Sequence, residues 1–395
     1  MVKFRTYFTL LLLVASIPVF AGIDRGRVDS LKTLIASSAN KQATYDSVSI
    51  NMLNKLADDY FESNPDSTLY YGYKAISLSR KINYKAGIAN GLVQTGHANF
   101  FKGRFAQGQL EFDQAITIYK NINDLTGLSN CYKLYGRMDN LLAKYADALY
   151  YLNIATDLNK KLNNEPEIAD CYKNIGIVYF SEGQNSTALD YYYKALYITL
   201  KNNDIKTSAE IYNDIGVVLQ GMEVYPKALE YYKKALGLLQ STNDLNGVGT
   251  VNENIGEVLI AHKEYDRAIV HLTKAIIIAK KQDDKDGMSS VYTDLGLCYS
   301  HKEQFAIAKA YLDTSLQIAS KYKIVYNQAY ALIGMATMYN LQKDFKNAYI
   351  YAMQGQQLAG TLRNLAVRSN AALQLNKTLA GLGKYDAAYK MLRRY

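Results

Sequence analysis

Apolar and small residues return along this chain at two rhythms, one nested inside the other. The short rhythm is helical. Tyr212, Ile215, Gly216 and Leu219 stand at i, i+3, i+4 and i+7, and a second segment repeats that spacing with Ala228, Tyr231, Tyr232, Ala235 and Leu236. Such spacing lays the apolar positions on one face of an α-helix. The stretch GMEV between them predicts a short turn, so the two helices fold back as a pair. The long rhythm is 40 residues: Gly96, Gly136, Gly176, Gly216, Gly256 and Gly296 fall in register, and Ala336 continues the series. Ala148, Ala188, Ala228, Ala268, Ala308, Ala348 and Ala388 form a second ladder, and Ala75, Ala115, Ala155, Ala195, Ala235 and Ala275 a third. Repeats of this length predict a solenoid. No strand alternation is seen.

Glycine inside a helix costs about 1 kcal/mol relative to alanine. Six such sites make sense only if the missing side chain permits close contact. The expectation is that Gly216 admits the second helix of its own pair, with Ala228 facing back at it. Between units, Asn123-Asp124, Asn203-Asp204, Asn243-Asp244 and Asp283-Asp284 predict turns and helix N-caps.

The first 21 residues break the pattern. Lys3 and Arg5 precede an apolar run of 14 residues that ends near Ala21. This is the charge, apolar and small-residue order of a secretory signal, and the run is short for a membrane span of about 20 residues. The chain therefore divides into a signal peptide at 1–21, a segment at 22–44 with a short helix, and a solenoid at 45–395. The mature chain is expected to be exported to the periplasm or cell envelope, membrane-bound only if the signal stays uncleaved or an anchor follows residue 395. Its last repeat reads as incomplete or uncapped, since MLRRY offers no polar cover for Met391 and Leu392.

Composition refines this. The chain has 395 residues, 49% of them hydrophobic, with 4 prolines, 36 tyrosines and no tryptophan. It is not a disordered chain, and tyrosine is its main aromatic packing residue. The formal charge of +9 falls to +7 once Lys3 and Arg5 leave. Lysine doublets such as Lys160-Lys161 and Lys280-Lys281 sit at predicted helix ends, where cations suit the helix dipole. No arginine-rich stripe or reading motif points to nucleic acid. Three cysteines are a poor disulfide framework; Cys131, Cys171 and Cys298 occupy repeat positions held elsewhere by isoleucine or valine, and read as core. His97, His262, His271 and His301 show no zinc-binding spacing and no phosphate loop follows a strand, so no catalytic residue, cofactor or metal is read.

The pattern resembles the tetratricopeptide repeat. That family has an aromatic, a large apolar residue, glycine and tyrosine in its first helix, then alanine, an aromatic and alanine in its second. Tyr172, Ile175, Gly176, Tyr179, Ala188, Tyr192 and Ala195 match all seven. The resemblance covers about residues 45 to 395 and implies an all-α, right-handed superhelical solenoid of about nine helix pairs. The period is 40 residues and not about 34, as in the longer-helix subclass, and the proline near the end of the second helix is absent. Leu56 and Asn376 replace glycine in the end units.

Members of this family bind proteins or peptides on a concave face lined by their first helices, so the resemblance implies a binding groove here. Lys133, Arg137 and Lys173 would make its early part basic, while Asn213, Glu253 and Glu257 make its middle neutral to acidic. One position alternates as Asn174, Asp214, Asn254 and Asp294; these groups either grip a peptide backbone or bond to neighbouring helix ends. The family's carboxylate clamp is incomplete, with Ile177 in place of an asparagine. The resulting expectation is a non-catalytic exported scaffold for a protein or peptide. The alternative is the sensor region of a signal-transduction protein, as in similar signal-led arrays of Bacteroidota-like bacteria, with membrane and output parts outside these residues. An enzyme hidden on the scaffold is the third reading.

Overall fold

The computed structural model describes residues 46–60, 64–362 and 364–392. The signal at 1–21, the segment at 22–44 and the last three residues lie outside the described residues. Packing divides the described chain into an N-terminal unit, 46–204, and a C-terminal unit, 205–392.

The N-terminal unit holds four helix pairs: α1 (Ser47–Tyr60) with α2 (Pro65–Lys81), α3 (Lys85–Phe101) with α4 (Phe105–Asn121), α5 (Leu125–Leu141) with α6 (Tyr145–Lys161), and α7 (Glu165–Ser181) with α8 (Asn185–Lys201). The C-terminal unit holds five: α9 (Ile205–Gly221) with α10 (Tyr225–Ser241), α11 (Leu245–Ala261) with α12 (Tyr265–Gln282), α13 (Lys285–His301) with α14 (Phe305–Lys321), α15 (Val325–Leu341) with α16 (Phe345–Thr361), and α17 (Leu365–Gly381) with α18 (Tyr385–Leu392). Each unit is an all-α solenoid of tetratricopeptide type, and among the described residues no helix is long and apolar enough to cross a membrane.

The 40-residue period is two helical steps of 20. Most helices run 17 residues, and a three-residue turn follows. One residue of each described turn adopts a left-handed backbone: Asn83, Gly103, Asn123, Ala143, Asn163, Gly183, Asn203, Glu223, Asn243, Lys263, Asp283, Glu303, Lys323, Lys343 and Gly383. Asparagine and glycine tolerate that conformation; for lysine, glutamate and alanine it is strained, and the packed helices on either side hold it. Three of the aspartates foreseen as caps do cap: the Asp124, Asp244 and Asp284 carboxylates accept the backbone N–H of Gly127 at 2.9 Å, Gly247 at 3.0 Å and Gly287 at 3.0 Å.

The glycine ladder lies at the contact within each pair. A Cβ on Gly216 would sit 2.5 Å from Cε1 of Tyr232, and one on Gly176 2.8 Å from the same atom of Tyr192. At Gly256 and Gly296 the obstacle is Leu272 or Leu312, at 2.6 Å. The first contact is thus the large residue four positions beyond the ladder alanine, where the sequence suggested the alanine itself. The alanine matters through its backbone: at Gly136 the Ala148 carbonyl oxygen is 2.9 Å from such a Cβ. Ala188, Ala228 and Ala268 are fully buried, and so is Tyr232. Asn376, in the ladder's last place, uses its side chain instead: Nδ2 donates to the Ala388 carbonyl at 2.6 Å.

Larger side chains fill the space between pairs. In the N-terminal unit Ile76, Phe112, Ile116, Tyr119, Cys131 and Tyr135 belong to one continuous core. Tyrosines from both helices of a pair stack at repeat-equivalent places, Tyr179 on Tyr191 at 5.4 Å, Tyr299 on Tyr311 and Tyr339 on Tyr351 at 5.5 Å. All three cysteines are free and buried. Burial pushes their thiols up, that of Cys171 to about 11.

Candidate functional site

Within each unit the backbones of the first helices of successive pairs approach one another closely, and among the described residues those of the second helices do not, although side chains such as Tyr73 and Glu111 bridge them. First helices therefore form the inner face. Asn174, Asp214, Asn254 and Asp294 each stand two residues before a ladder glycine. All four are buried. Their bonds go mostly sideways. Asn254 Nδ2 donates to Asn213 Oδ1 at 2.8 Å, joining α11 to α9, and Tyr330 on α15 donates its hydroxyl to Asp294 Oδ1 at 2.6 Å. Asn174 Nδ2 donates to the Asp170 carbonyl one turn back in α7, at 2.7 Å.

In the N-terminal unit the basic residues are brought together, but with acids. Lys133 Nζ lies 2.6 Å from Glu167 and 2.9 Å from Asp170; Lys173 reaches Asp170 at 3.6 Å. Burial by itself would raise the Asp170 carboxyl, but Lys133 and Lys173, with Arg137 behind them, hold it down to about 2. Burial likewise opposes the Lys133 charge, and Asp170 and Glu167 outweigh it, so its ammonium is pushed up. Two lysines are thereby matched by two carboxylates, and Arg137 is the cation of this face without an ion pair among the described residues. His97 is buried next to Arg137; burial first, then that guanidinium, drop its imidazole to about 3, so it stays neutral. His301 stacks flat on Tyr265, ring centres 5.0 Å apart.

The C-terminal unit carries the opposite charge. Glu253 and Glu257 are one turn apart on α11, Asp294 faces them from α13, and one carboxylate oxygen of each lies within 4.8 Å of the others. Gln220 on α9 donates to Glu257 at 3.2 Å and accepts from the Tyr232 hydroxyl at 2.7 Å. Burial is the main cause that raises all three carboxyls. Asp294 reaches about 7 despite the Tyr330 hydrogen bond. Glu253 reaches about 8, with Asp294 as the second cause. Glu257 rises well above the usual range, driven further by Asp294 and Glu253. No lysine, arginine or histidine among the described residues forms an ion pair with any of them.

Sequence reasoning placed Glu253, Glu257 and Asp294 on the inner face but did not join them, and it missed Gln220 and Tyr330. A usable signal exists. Gln220 and Glu257 are 37 positions apart, Tyr330 and Asp294 36, Lys133 and Glu167 34. Asn254 and Asn213 are 41 apart, so partners across adjacent first helices stand within a few positions of one period, and complementary residues near that offset mark them.

Comparison with known proteins agrees with this architecture. Family models for the tetratricopeptide repeat match residues 207–281 and 289–322. The chain carries tetratricopeptide repeats there, and the described helix pairs before and after them have the same build. Solved tetratricopeptide-like structures match over most of this array. Aspartyl phosphate phosphatase F from Bacillus subtilis superposes with a TM-score of 0.61 at 14% identity, over 86% of this chain and 94% of its own. A Rap protein complexed with competence and sporulation factor gives 0.60 at 15%, covering 88% and 97%. The apo quorum sensor NprR from B. thuringiensis gives 0.60 at 17%, covering 85% and 98%. At these identities the likeness concerns the fold of the tetratricopeptide array. No curated protein matches the chain by sequence.

Proposed function

We propose that this protein is a non-catalytic, exported scaffold that binds a protein or peptide segment on the inner face of its first helices. One observation carries the reading. Asn213, Glu253 and Glu257 are half-buried polar groups on the inner face, contributed by adjacent repeats and joined by the Asn254–Asn213 bond. A row of amide and carboxylate groups at that spacing suits an extended backbone, whose N–H and C=O groups need partners at regular intervals. A Rap protein of similar fold is solved in complex with competence and sporulation factor, which supports a bound partner for an array of this fold. Export rests on Lys3, Arg5 and the apolar run ending near Ala21.

The test is selection of peptides from a random display library against the mature chain. Selected peptides should lose affinity when Asn213 and Asn254 are both replaced by alanine, and keep it when the exposed Tyr150 and Tyr197 on second helices are. The reverse outcome would move the binding surface to the second helices and refute the proposal.

A further inference from the structure

The acidic trio of the C-terminal unit has a geometry that the scaffold does not need. Its three carboxylate oxygens fall within 4.8 Å of one another. Two oxygens on one ion stand at most twice the bond length apart, which is about 4.6–5.2 Å for Ca²⁺ and about 4.0–4.2 Å for Mg²⁺. Three oxygens spread evenly round one ion stand closer, about 4.0–4.5 Å apart for Ca²⁺ and about 3.5–3.6 Å for Mg²⁺, so a side-chain shift of under about 1 Å brings the trio onto Ca²⁺ and a larger one is needed for Mg²⁺. Asp294 is fully buried, and its Oδ2 has no hydrogen-bond partner, while Oδ1 is held by Tyr330. A buried carboxylate oxygen left bare is costly, and adjacent carboxylates add repulsion. The protein's own cations do not relieve it, as the ion pairs above show. Around the trio, hydrogen bonds set the carboxylates: Tyr330 orients Asp294, and Gln220, itself held by Tyr232, orients Glu257. Outer partners of this kind are what metal-binding carboxylates use. The donors are all oxygen, which favours a hard cation over zinc or copper. Glu253 and Glu257 keep some exposure to solvent, so water can complete the coordination.

We propose that Glu253, Glu257 and Asp294 bind one divalent cation of the calcium class on the inner face of the C-terminal unit. The ion ties α11 to α13 at the level where Tyr330 ties α13 to α15. The ion shares Glu253 and Glu257 with the row proposed to bind a peptide, but its test needs no peptide.

The test uses the full mature chain, stripped of metal by a chelator and titrated with calcium chloride in a calorimeter, with magnesium chloride as a second arm. The expected result is saturable binding of one Ca²⁺ per chain, weaker binding of Mg²⁺, and a melting temperature that rises with Ca²⁺. Asp294→Asn with Glu257→Gln should abolish both the heat and the Ca²⁺-dependent rise while far-ultraviolet circular dichroism stays unchanged. Tyr330→Phe, which leaves every ligand oxygen in place, should weaken binding by about 10- to 100-fold. Absence of saturable binding to the wild type, or binding undiminished in the double variant, would overturn the proposal. So would a lysine-bearing peptide that binds the trio where Ca²⁺ does not, since the trio would then be a dock for a side-chain cation.

Discussion

Two helical glycines of the same pair offer a direct test of why the ladder exists. Gly216 lies in α9 against the buried ring of Tyr232; Gly237 lies in α10, exposed, and a Cβ built there meets nothing within 4 Å. Alanine at either site gains about 1 kcal/mol of helix propensity. At Gly237 nothing opposes that gain. At Gly216 the new methyl must displace Tyr232 Cε1 from 2.5 Å and Cδ1 from 2.6 Å. The ring cannot swing out, because it is fully buried and its hydroxyl is bonded to Gln220 at 2.7 Å. Overpacking of this kind costs about 1–3 kcal/mol. Gly237→Ala should therefore stabilise by about 1 kcal/mol, and Gly216→Ala should leave stability unchanged or lower it by up to about 2 kcal/mol. A body of this size shifts by about 2–4 °C per kcal/mol, so the two variants should melt about 2–12 °C apart. Thermal unfolding followed by circular dichroism at 222 nm is sufficient. Equal stabilisation by both substitutions would refute the close-approach account of all six glycines.

Other outcomes follow from the charges and caps. Asp294 and Glu253 keep their protons up to about 7 and about 8, against an ordinary carboxylate value near about 4. The folded chain thus binds more protons than the unfolded chain between those limits, so the contribution to stability is full below pH ~4 and is lost as pH rises through ~7–8. The groups facing them, Gln220, Ser290, Tyr326 and Tyr330, supply no positive charge. In a chelator the melting temperature should fall over that range, and Asp294→Asn with Glu253→Gln should flatten the slope; a rise would contradict the assignment. Asp244→Ala removes the acceptor for the Gly247 N–H and should cost about 1 kcal/mol in denaturant titrations, whereas Asp244→Asn should retain most of it. Lys133→Met leaves Glu167 and Asp170 without their nearest cation and should destabilise by on the order of 2 kcal/mol, less than the about 3–5 kcal/mol of a fully buried pair, because both carboxylates keep partial exposure; a double variant with Asp170→Asn should recover part of the loss.

The helix pairs, their number and the caps could be read from the chain because each leaves a local mark: a glycine, an alanine or an Asn-Asp doublet at a fixed interval. The finer 20-residue step was half hidden. Asn123, Asn163 and Asn243 advertise a left-handed turn residue, but Glu223, Lys263, Lys323 and Lys343 take the same backbone with side chains that advertise nothing. There the conformation is imposed by two packed helices, which no local propensity records. Charge was read only as projection onto a face. Lys133 looked like part of a basic stretch because Glu167 and Asp170 stand 34 and 37 positions further on, in the next pair. The acidic trio was overlooked as a unit for a similar reason: Glu253 and Glu257 share a helix, but Asp294 joins them only through the approach of α13 to α11, which sequence spacing does not measure.

The three-residue turn with one left-handed position has an evolutionary corollary. Because the steps from α2 to α16 have the same length and the same handed corner, and the side-chain bonds described above span at most 41 positions, a tandem duplication of one 40-residue block would meet neighbours already shaped to receive it. A gain or loss of one or two residues in a helix would instead rotate every later ladder position off its partner. Genes for such arrays should therefore change length in whole blocks, and relatives of differing size should carry their gaps in multiples of the period.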